Sequence, residues 1–104
     1  MTGAFTENAV ICQHKAGVPE FYSPREFAAP RVALLTDGTL LGFHEWEVDS
    51  KTGIFGPIAT RVSAYAKAGS LNGADFTGKG TKVFQLVKVG VRWRIAALSW
   101  FDTE

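Results

Sequence analysis

The chain has 104 residues, of which 46% are hydrophobic and 20% charged, and its formal net charge is +1. This length predicts one domain, residues 1–104, that can bury a real core. The near-zero net charge gives no global field toward nucleic acid or acidic membranes, so we expect neither as a partner. The single cysteine, Cys12, excludes an internal disulfide and fits a reducing cytoplasm.

The first third of the sequence predicts a short strand, a loop and a capped helix. Residues 9–14 are a short apolar-to-polar run that predicts a strand, and residues 15–19 contain a glycine and a proline that predict a loop. Ser23-Pro24-Arg25-Glu26 is a helix-start signal, because its serine and glutamate can form a capping box and proline suits the first helical position. An interior proline costs about 3 kcal/mol, so Pro30 predicts a kink or two short helices.

The pair Asp37-Gly38 has two interpretations. Between two apolar runs, an Asp-Gly pair predicts a hairpin. After a capped helix, Gly38 predicts the helix end. The capping box upstream favours the helix.

The middle of the chain predicts strands with period-2 patterns. In residues 43–49, alternation puts the three acidic residues and one phenylalanine on one face and three other residues on the opposite face. The first set is Phe43, Glu45, Glu47 and Asp49; the second is His44, Trp46 and Val48. Residues 53–67 predict the next strand, broken by a bulge or sharp bend near Gly56-Pro57. Residues 68–77, rich in Gly, Asn and Ser, predict a loop.

The last quarter, residues 78–102, organises the rest of the predicted sheet. It predicts two long strands, 79–89 and 91–102, joined by a tight turn at residues 89–91. Strict alternation puts Trp93, Ile95, Ala97, Ser99 and Phe101 on one face, and Arg92, Arg94, Ala96, Leu98, Trp100 and Asp102 on the other. Both faces carry large apolar side chains, so we expect this strand to be covered on both sides.

These elements together resemble the nuclear-transport-factor-2-like superfamily, and within it bacterial proteins related to polyketide cyclases and ketosteroid isomerase. The resemblance runs from about Phe5 to the end of the chain. It is carried by the capped helix, F-H-E-W-E from Phe43, I-F-G-x-I-A-T-R-x-S-x-Y, G-x-G-T-K-V-F-Q-L-V from Gly78, and W-R-I-A-A-L-S-W-x-D. It implies an α+β fold: a curved antiparallel β-sheet (meander) with one or two short helices on the concave face, a cone-like (cystatin-like) roll around a pocket.

One departure from the family concerns the N-terminus. Family members begin with two helices, whereas this sequence begins almost at the first strand, and the resemblance places residues 5–10 at the end of the second helix. The concave face would then expose apolar surface. We therefore expect a second chain to cover it, in a homodimer or higher homo-oligomer.

The resemblance also bears on catalysis. The isomerases use a carboxylate base near the first strand and two oxyanion donors, a tyrosine and a protonated aspartate. Here Gln13 or His14 takes the position of the base, and the helix that carries the tyrosine is missing. His14 could still act as a base, since the imidazole pKa lies near neutrality. A strand-end histidine that makes one hydrogen bond is the favoured interpretation.

Four further patterns are weaker. The acids Glu45, Glu47 and Asp49 could line a pocket or bind a hard metal, but a solvated strand face is favoured. Residues 73–81 resemble a phosphate loop, yet they lack its Ser or Thr after the lysine and its following helix. A basic cluster around Trp93 could bind single-stranded nucleic acid, but a solvated face is favoured. It consists of Lys79, Lys82, Lys88, Arg92 and Arg94. Cys12 and His14 alone make no zinc site, and we expect no metal or cofactor.

The sequence thus predicts a bacterial, cytoplasmic domain that binds a small apolar or aromatic molecule in an apolar pocket. The predicted pocket residues are His14, Trp46, Tyr65, Gln85 and Trp100. Two alternatives remain open. One is a protein-association or oligomerisation module without a ligand pocket. The other is an isomerase, cyclase or dehydratase-type enzyme with His14 as its catalytic base.

Overall fold

The computed structural model describes residues 4–103, which form one mixed, curved β-sheet and one helix. The elements are β1 (Phe5–Lys15), β2 (Val18–Tyr22), α1 (Pro24–Thr36), β3 (Leu40–Phe55), β4 (Ile58–Leu71), β5 (Ala74–Val89) and β6 (Arg92–Thr103). The strand order is β2-β1-β6-β5-β4-β3. Strands β3 to β6 form the predicted antiparallel meander, whereas β1 pairs parallel to β6. The predicted α+β class is confirmed.

The capping box sets the start of α1. The Glu26 amide donates to Ser23 Oγ at 3.1 Å, and the Ser23 amide donates to Glu26 Oε1 at 2.8 Å. The helix runs through Pro30, so the prediction of two short helices is wrong. It ends where the Asp37 amide donates to the Ala33 carbonyl at 3.0 Å, and Gly38 follows at φ +83°. The helix interpretation of Asp37-Gly38 is confirmed and the hairpin interpretation is wrong.

Two tight turns replace two predicted loops. Ala16-Gly17 joins β1 to β2 with φ of 52° and 79°, and Asn72-Gly73 joins β4 to β5 with φ of 52° and 81°. Positive φ at both central residues is the type I′ geometry, which matches the twist of paired strands. The loop predictions for residues 15–19 and 68–77 are therefore wrong, because the chain there pairs almost up to each turn.

Two other boundaries differ from expectation. The break at Gly56-Pro57 is a hairpin turn, with Gly56 at φ +60°, so residues 53–55 belong to β3 and not to the next strand. Residues 5–10, which the resemblance placed at a helix end, lie in β1.

A β-bulge in β6 changes which side chains share a face. Gln85 pairs with Ala97, but the next residue, Leu86, pairs with Ile95 and leaves Ala96 unpaired. A bulge inserts one residue, so the alternation reverses there. The predicted faces of residues 91–102 are wrong on this point: Ile95 lies on the same face as Leu98, not Ala97.

Helix α1 covers one face of the sheet, which we call the concave face. The Phe27 ring packs edge-on against the Trp100 ring with centroids 4.9 Å apart, and the Arg31 guanidinium lies 3.4 Å from the centre of the Phe27 ring. The buried apolar residues of the described chain are few: Ala9, Ile11, Ala59, Tyr65 and Leu98.

No helix in residues 4–103 is long and apolar enough to cross a membrane.

Candidate functional site

A cleft of about 370 Å³ opens on the concave face, formed by residues of β3, β4, β5 and β6. Its charged residues are Glu45, Glu47, Arg61 and Lys82; its apolar residues are Trp46, Phe84, Leu86 and Ile95; and Ser63 and Tyr65 complete it. The cleft therefore combines an apolar wall with a charged rim.

The strand register explains why these side chains meet. On β4 and β5, Tyr65 pairs with Gly80, and Ser63 pairs with Lys82. On β5 and β6, Lys82 pairs with Trp100, whose ring contacts α1. Directly paired residues share a face, and alternate residues along a strand return to it. The alternate positions of β4 and β5 thus point toward the helix side of the sheet.

The charged residues of the rim form ion pairs with one another. Arg61 donates to Glu47 Oε2 at 2.7 Å and to Thr52 Oγ1 at 2.8 Å, and Lys82 pairs with Glu45. A hydrogen bond from Ser63, with the Arg61 guanidinium, holds the pKa of Glu47 below its usual range. Two carboxylates and two cations leave the rim with no net charge.

The third acid of the predicted face lies elsewhere. A register shift in β3 between Glu47 and Asp49 puts Asp49 opposite Ala64, on the other face of the sheet. The prediction that Glu45, Glu47 and Asp49 share one face of the strand is thus wrong, since a bulge interrupts the alternation.

Tyr65 and Asp102 form the most enclosed polar contact beside the cleft. Tyr65 is only 3% exposed, and its hydroxyl donates to the Asp102 carboxylate and lies 3.3 Å from the Phe101 carbonyl. Lys67 Nζ donates to the other Asp102 oxygen at 2.8 Å. Burial raises the pKa of Tyr65, and the hydrogen bond to Asp102 raises it further. The phenol therefore stays protonated and its proton is committed to the carboxylate.

The opposing effects on Asp102 leave it charged. Partial burial works to raise the pKa of Asp102, but hydrogen bonds from Lys67 and Tyr65 outweigh burial and hold that pKa below its usual range. A carboxylate that accepts hydrogen bonds in its charged form is stabilised in that form.

Gly80 makes room for Tyr65. A Cβ atom on Gly80 would lie 2.7 Å from Tyr65 Cζ and would also overlap the Tyr65 hydroxyl and the Phe101 carbonyl. Real Cβ atoms are not found this close to backbone and ring atoms. The missing side chain is therefore a requirement for placing the Tyr65 ring across β5 toward Asp102.

The structure separates the five predicted pocket residues. Tyr65 lines the cleft, and Trp46 only borders it, because Trp46 pairs with Ala66 on the convex side of β4 and its ring stacks on His44 with centroids 5.0 Å apart. His14 and Trp100 border a second cavity of about 460 Å³, together with Cys12, Thr81, Val83, Ser99 and Phe101. Gln85 is exposed and lines neither cavity. Sequence reasoning missed Ser63, Arg61, Lys82 and Asp102.

The second cavity lies on the convex face, opposite α1. Val83 and Cys12 both pair with Ser99, so these three residues lie on the same face of the sheet. His14 pairs with Phe101 and is exposed. The proposed base is thus on the other side of the sheet from the cleft. Among residues 4–103, no cluster of three or more His, Cys, Asp or Glu is arranged to hold a metal ion.

Comparisons with known proteins identify the fold. No family model matches the sequence, and no curated protein matches it. Solved structures do match: a candidate calcium/calmodulin-dependent kinase II association domain from Exiguobacterium sibiricum has a TM-score of 0.77 at 7% identity, covering 100% of this chain and 76% of that one. A nuclear-transport-factor-2-like protein of unknown function from Prochlorococcus marinus has a TM-score of 0.77 at 15% identity, covering 97% and 75%.

A third similar structure is a candidate ketosteroid isomerase from Shewanella frigidimarina, with a TM-score of 0.69 at 22% identity, covering 94% of this chain and 76% of that one. At these identities the likeness shows the fold alone. The chain has the nuclear-transport-factor-2-like fold, and the resemblance seen in the sequence is confirmed at that level.

The first prediction concerns the space that Gly80 leaves. Gly80→Ala should lower the free energy of unfolding by about 1–3 kcal/mol, the usual cost of overpacking. Gly78→Ala is the matched control, because its Cβ would meet chiefly Lys67 Cε, at 2.8 Å, on a flexible side chain. Urea denaturation of the two variants and the wild type measures the difference. Equal stability of the two variants would contradict the role assigned to Gly80.

The second prediction concerns the Tyr65 proton. The sequence has two tyrosines, so Tyr22→Phe leaves Tyr65 as the only phenol. Its absorbance at 295 nm should show no ionisation in the folded protein near the ordinary tyrosine pKa of 10.0. Because the folded pKa is raised, its stabilising effect is complete below pH 10 and is lost as the pH rises above it.

The matched measurement compares Tyr22→Phe with Tyr65→Phe. Above pH 10, the free energy of unfolding should fall more steeply with pH in Tyr22→Phe, with a slope of up to one bound proton, because the pKa of Tyr65 is raised further than that of Tyr22. Reversible titration of Tyr65 near pH 10 in folded Tyr22→Phe would show that the phenol is not held by Asp102.

Proposed function

We propose that this chain is a small-molecule-binding domain whose ligand occupies the concave cleft. The cleft volume of about 370 Å³ falls within the range of roughly 300–1,000 Å³ that is usual for ligand pockets. Such pockets are mostly apolar and carry a few placed polar groups. Phe84, Leu86 and Ile95 form the apolar wall, and Ser63 lies among them as a buried hydroxyl.

The observation that carries this proposal is the self-neutralised rim. Each cation of the cleft is already paired with a carboxylate, Arg61 with Glu47 and Lys82 with Glu45. A charged ligand would have to displace one of these partners and leave it unpaired, which is costly. The cleft therefore favours an uncharged apolar or aromatic molecule that packs on the wall.

The enzyme alternative has weaker support. One similar structure is a candidate ketosteroid isomerase. In this chain, however, His14 lies on the convex face, and the Tyr65 proton is engaged by Asp102. No observation on the described residues favours His14 as a base. The single-domain organisation and the cytoplasmic location stay predictions.

A second candidate function is association between copies of the chain. A monomer of 11.3 kDa should expose roughly 5,700 Å². This chain exposes 7,110 Å², which is about 1,400 Å² more. A standard protein–protein interface covers about 800 Å² on each partner. The excess is thus large enough for one such interface, and one similar structure is itself named for an association domain.

The convex face suits this role better than the concave face that the sequence suggested. Across β1, β6, β5 and β4, its central positions carry no formal charge: Val10, Cys12, Ala97, Ser99, Phe101, Thr81, Val83, Val62 and Ala64. Val10, Val62 and Phe101 are exposed there. The core of an interface is depleted in charge, whereas the concave cleft carries two ion pairs. We therefore place the second copy on the convex face.

The third prediction tests the ligand site. 2-Naphthol, an uncharged aromatic alcohol, should raise the melting temperature of the wild type, since a ligand that binds the native state stabilises it. Ile95→Trp should abolish the rise by filling the cleft. Val83→Trp, a matched change that fills the second cavity, should leave it intact. Both variants should first be checked for a cooperative melting transition.

Three results of this experiment contradict the proposed site. One is the absence of any shift with 2-naphthol and a panel of similar aromatic and alicyclic alcohols. Another is an equal loss in both variants. A loss in Val83→Trp alone would move the ligand to the second cavity on the convex face.

The fourth prediction tests association. Sedimentation equilibrium of the wild type at micromolar concentration should give the mass of a dimer or a larger assembly. Val62→Glu should shift it to monomer, because it would bury a charged carboxylate in an otherwise uncharged interface. Val18→Glu places the same change on exposed β2 and should leave the mass unchanged. A wild-type monomer would overturn the proposal.

A further inference from the structure

Two hairpin turns lie side by side at one end of the sheet. The β3–β4 turn contains Gly56 at φ +60°, and the β5–β6 turn contains Gly90 at φ +64°. The Lys88 amide donates to the Pro57 carbonyl at 2.8 Å, so the two hairpins are joined. We call the residues of these turns and their flanks, 54–58 and 87–93, the hairpin end.

The hairpin end exposes a concentration of large apolar side chains. Val91, at the turn, is 91% exposed, and Phe55 is 66% exposed. The other exposed apolar residues there are Ile54, Ile58, Val89 and Trp93. A lone exposed apolar residue needs no explanation, but six on two joined turns form an unusual surface for a protein in water.

The same end is positively charged. Residues 50–64 contain Lys51 and Arg61, residues 87–94 contain Lys88, Arg92 and Arg94, and neither segment contains an acidic residue. Lys51, Lys88 and Arg92 are exposed, and Lys88 Nζ lies 5.9 Å from the centre of the Trp93 ring. Arg61 is paired with Glu47 and adds no free charge.

The acidic residues lie mostly away from this end. Asp75 follows the turn at the opposite end of β5, and Asp37 follows α1. On β1, the nearest acid is Glu7, two residues beyond Phe5, which pairs with Ile95. The net charge of +1 thus conceals a local excess of positive charge at the hairpin end.

We propose that the hairpin end docks on a membrane surface of anionic phospholipid. The apolar turns enter the boundary between headgroups and acyl chains, and Lys51, Lys88 and Arg92 face the phosphates. Trp93 lies behind the turns, where an amphipathic ring suits the headgroup level. The near-zero net charge of the sequence suggested no membrane partner, but a membrane attracts the local charge that lies within a Debye length of its surface.

Other partners fit these observations less well. Single-stranded nucleic acid stacks on aromatic rings along a basic groove, whereas the most exposed residue here, Val91, is aliphatic and at the turn itself. A second copy packed end to end would place the same cations against each other. A lipid surface uses both the apolar turns and the cations.

The experiment is co-flotation of the 104-residue chain with large unilamellar vesicles. One set is phosphatidylcholine alone, and the other contains about one-third phosphatidylserine, a strongly anionic surface. The chain should float with the phosphatidylserine vesicles in low salt and be released at high salt. Binding to phosphatidylcholine alone should be weaker.

Two double variants separate the two contributions. Lys88→Gln with Arg92→Gln should weaken binding about 25-fold, because each cation near an anionic surface contributes about fivefold. Phe55→Ser with Val91→Ser should weaken it at least about tenfold, because less apolar area enters the boundary. Circular dichroism and melting curves establish that each variant is folded, and either one suffices as a test.

The matched controls are on other parts of the surface. Val18→Ser with Phe21→Ser removes two exposed apolar residues of β2, and Lys15→Gln with Arg25→Gln removes two exposed cations. Both controls should bind the vesicles within about twofold of the wild type, since the charges and apolar groups of the hairpin end are intact.

Three outcomes overturn the proposal. The first is no flotation with phosphatidylserine vesicles at low salt. The second is binding that the control variants weaken as much as the hairpin-end variants. The third is tighter binding to oligo(dT) than to vesicles, lost in Lys88→Gln with Arg92→Gln and unaffected by Phe55→Ser with Val91→Ser, which would identify a nucleic-acid surface instead.

Discussion

The two-residue turn at Asn72-Gly73 sets the register on which the cleft depends. It starts a ladder that pairs β4 with β5 without interruption from Leu71↔Ala74 to Ile58↔Val87. A slip of one residue would turn every side chain of one strand to the opposite face. Tyr65 would then no longer lie over Gly80. Because β4 and β5 lie between β6 and β3 in the sheet, the same register also positions β3 and β6.

Two bulges adapt this regular ladder to the site. The bulge at Ala96 brings Ile95 to the concave face, where it joins Leu86 in the apolar wall. The shift after Glu47 keeps Glu47 in the rim and sends Asp49 to the opposite face. A sheet with perfect alternation would have a third carboxylate in the cleft and one less apolar wall residue. The neutral, amphipathic character of the cleft therefore comes from interruptions in the pairing.

Sequence reasoning succeeded where a signal is local. The capping box at Ser23 located α1, and the turn signal at residues 89–91 located the final hairpin. It failed at Asn72-Gly73, since a composition rich in Gly and Asn was interpreted as a loop although Asn-Gly is itself a strong hairpin signal. Of the residues around the cleft, sequence reasoning predicted Trp46 and Tyr65. The partners of Tyr65 lie far away in sequence, and period-2 counting carries no information about register or bulges.

The meander also explains why the two surfaces of the molecule differ. Antiparallel strands put successive turns at alternate ends, so the β3–β4 and β5–β6 turns must meet at one end and the β4–β5 turn at the other. The chain places Lys88 and Arg92 beside the first two turns and Asp75 beside the third. Positive charge that is averaged out along the sequence is thereby concentrated at the hairpin end. The cleft, whose ion pairs cancel, lies between these ends, and it is electrostatically neutral while its surroundings are not.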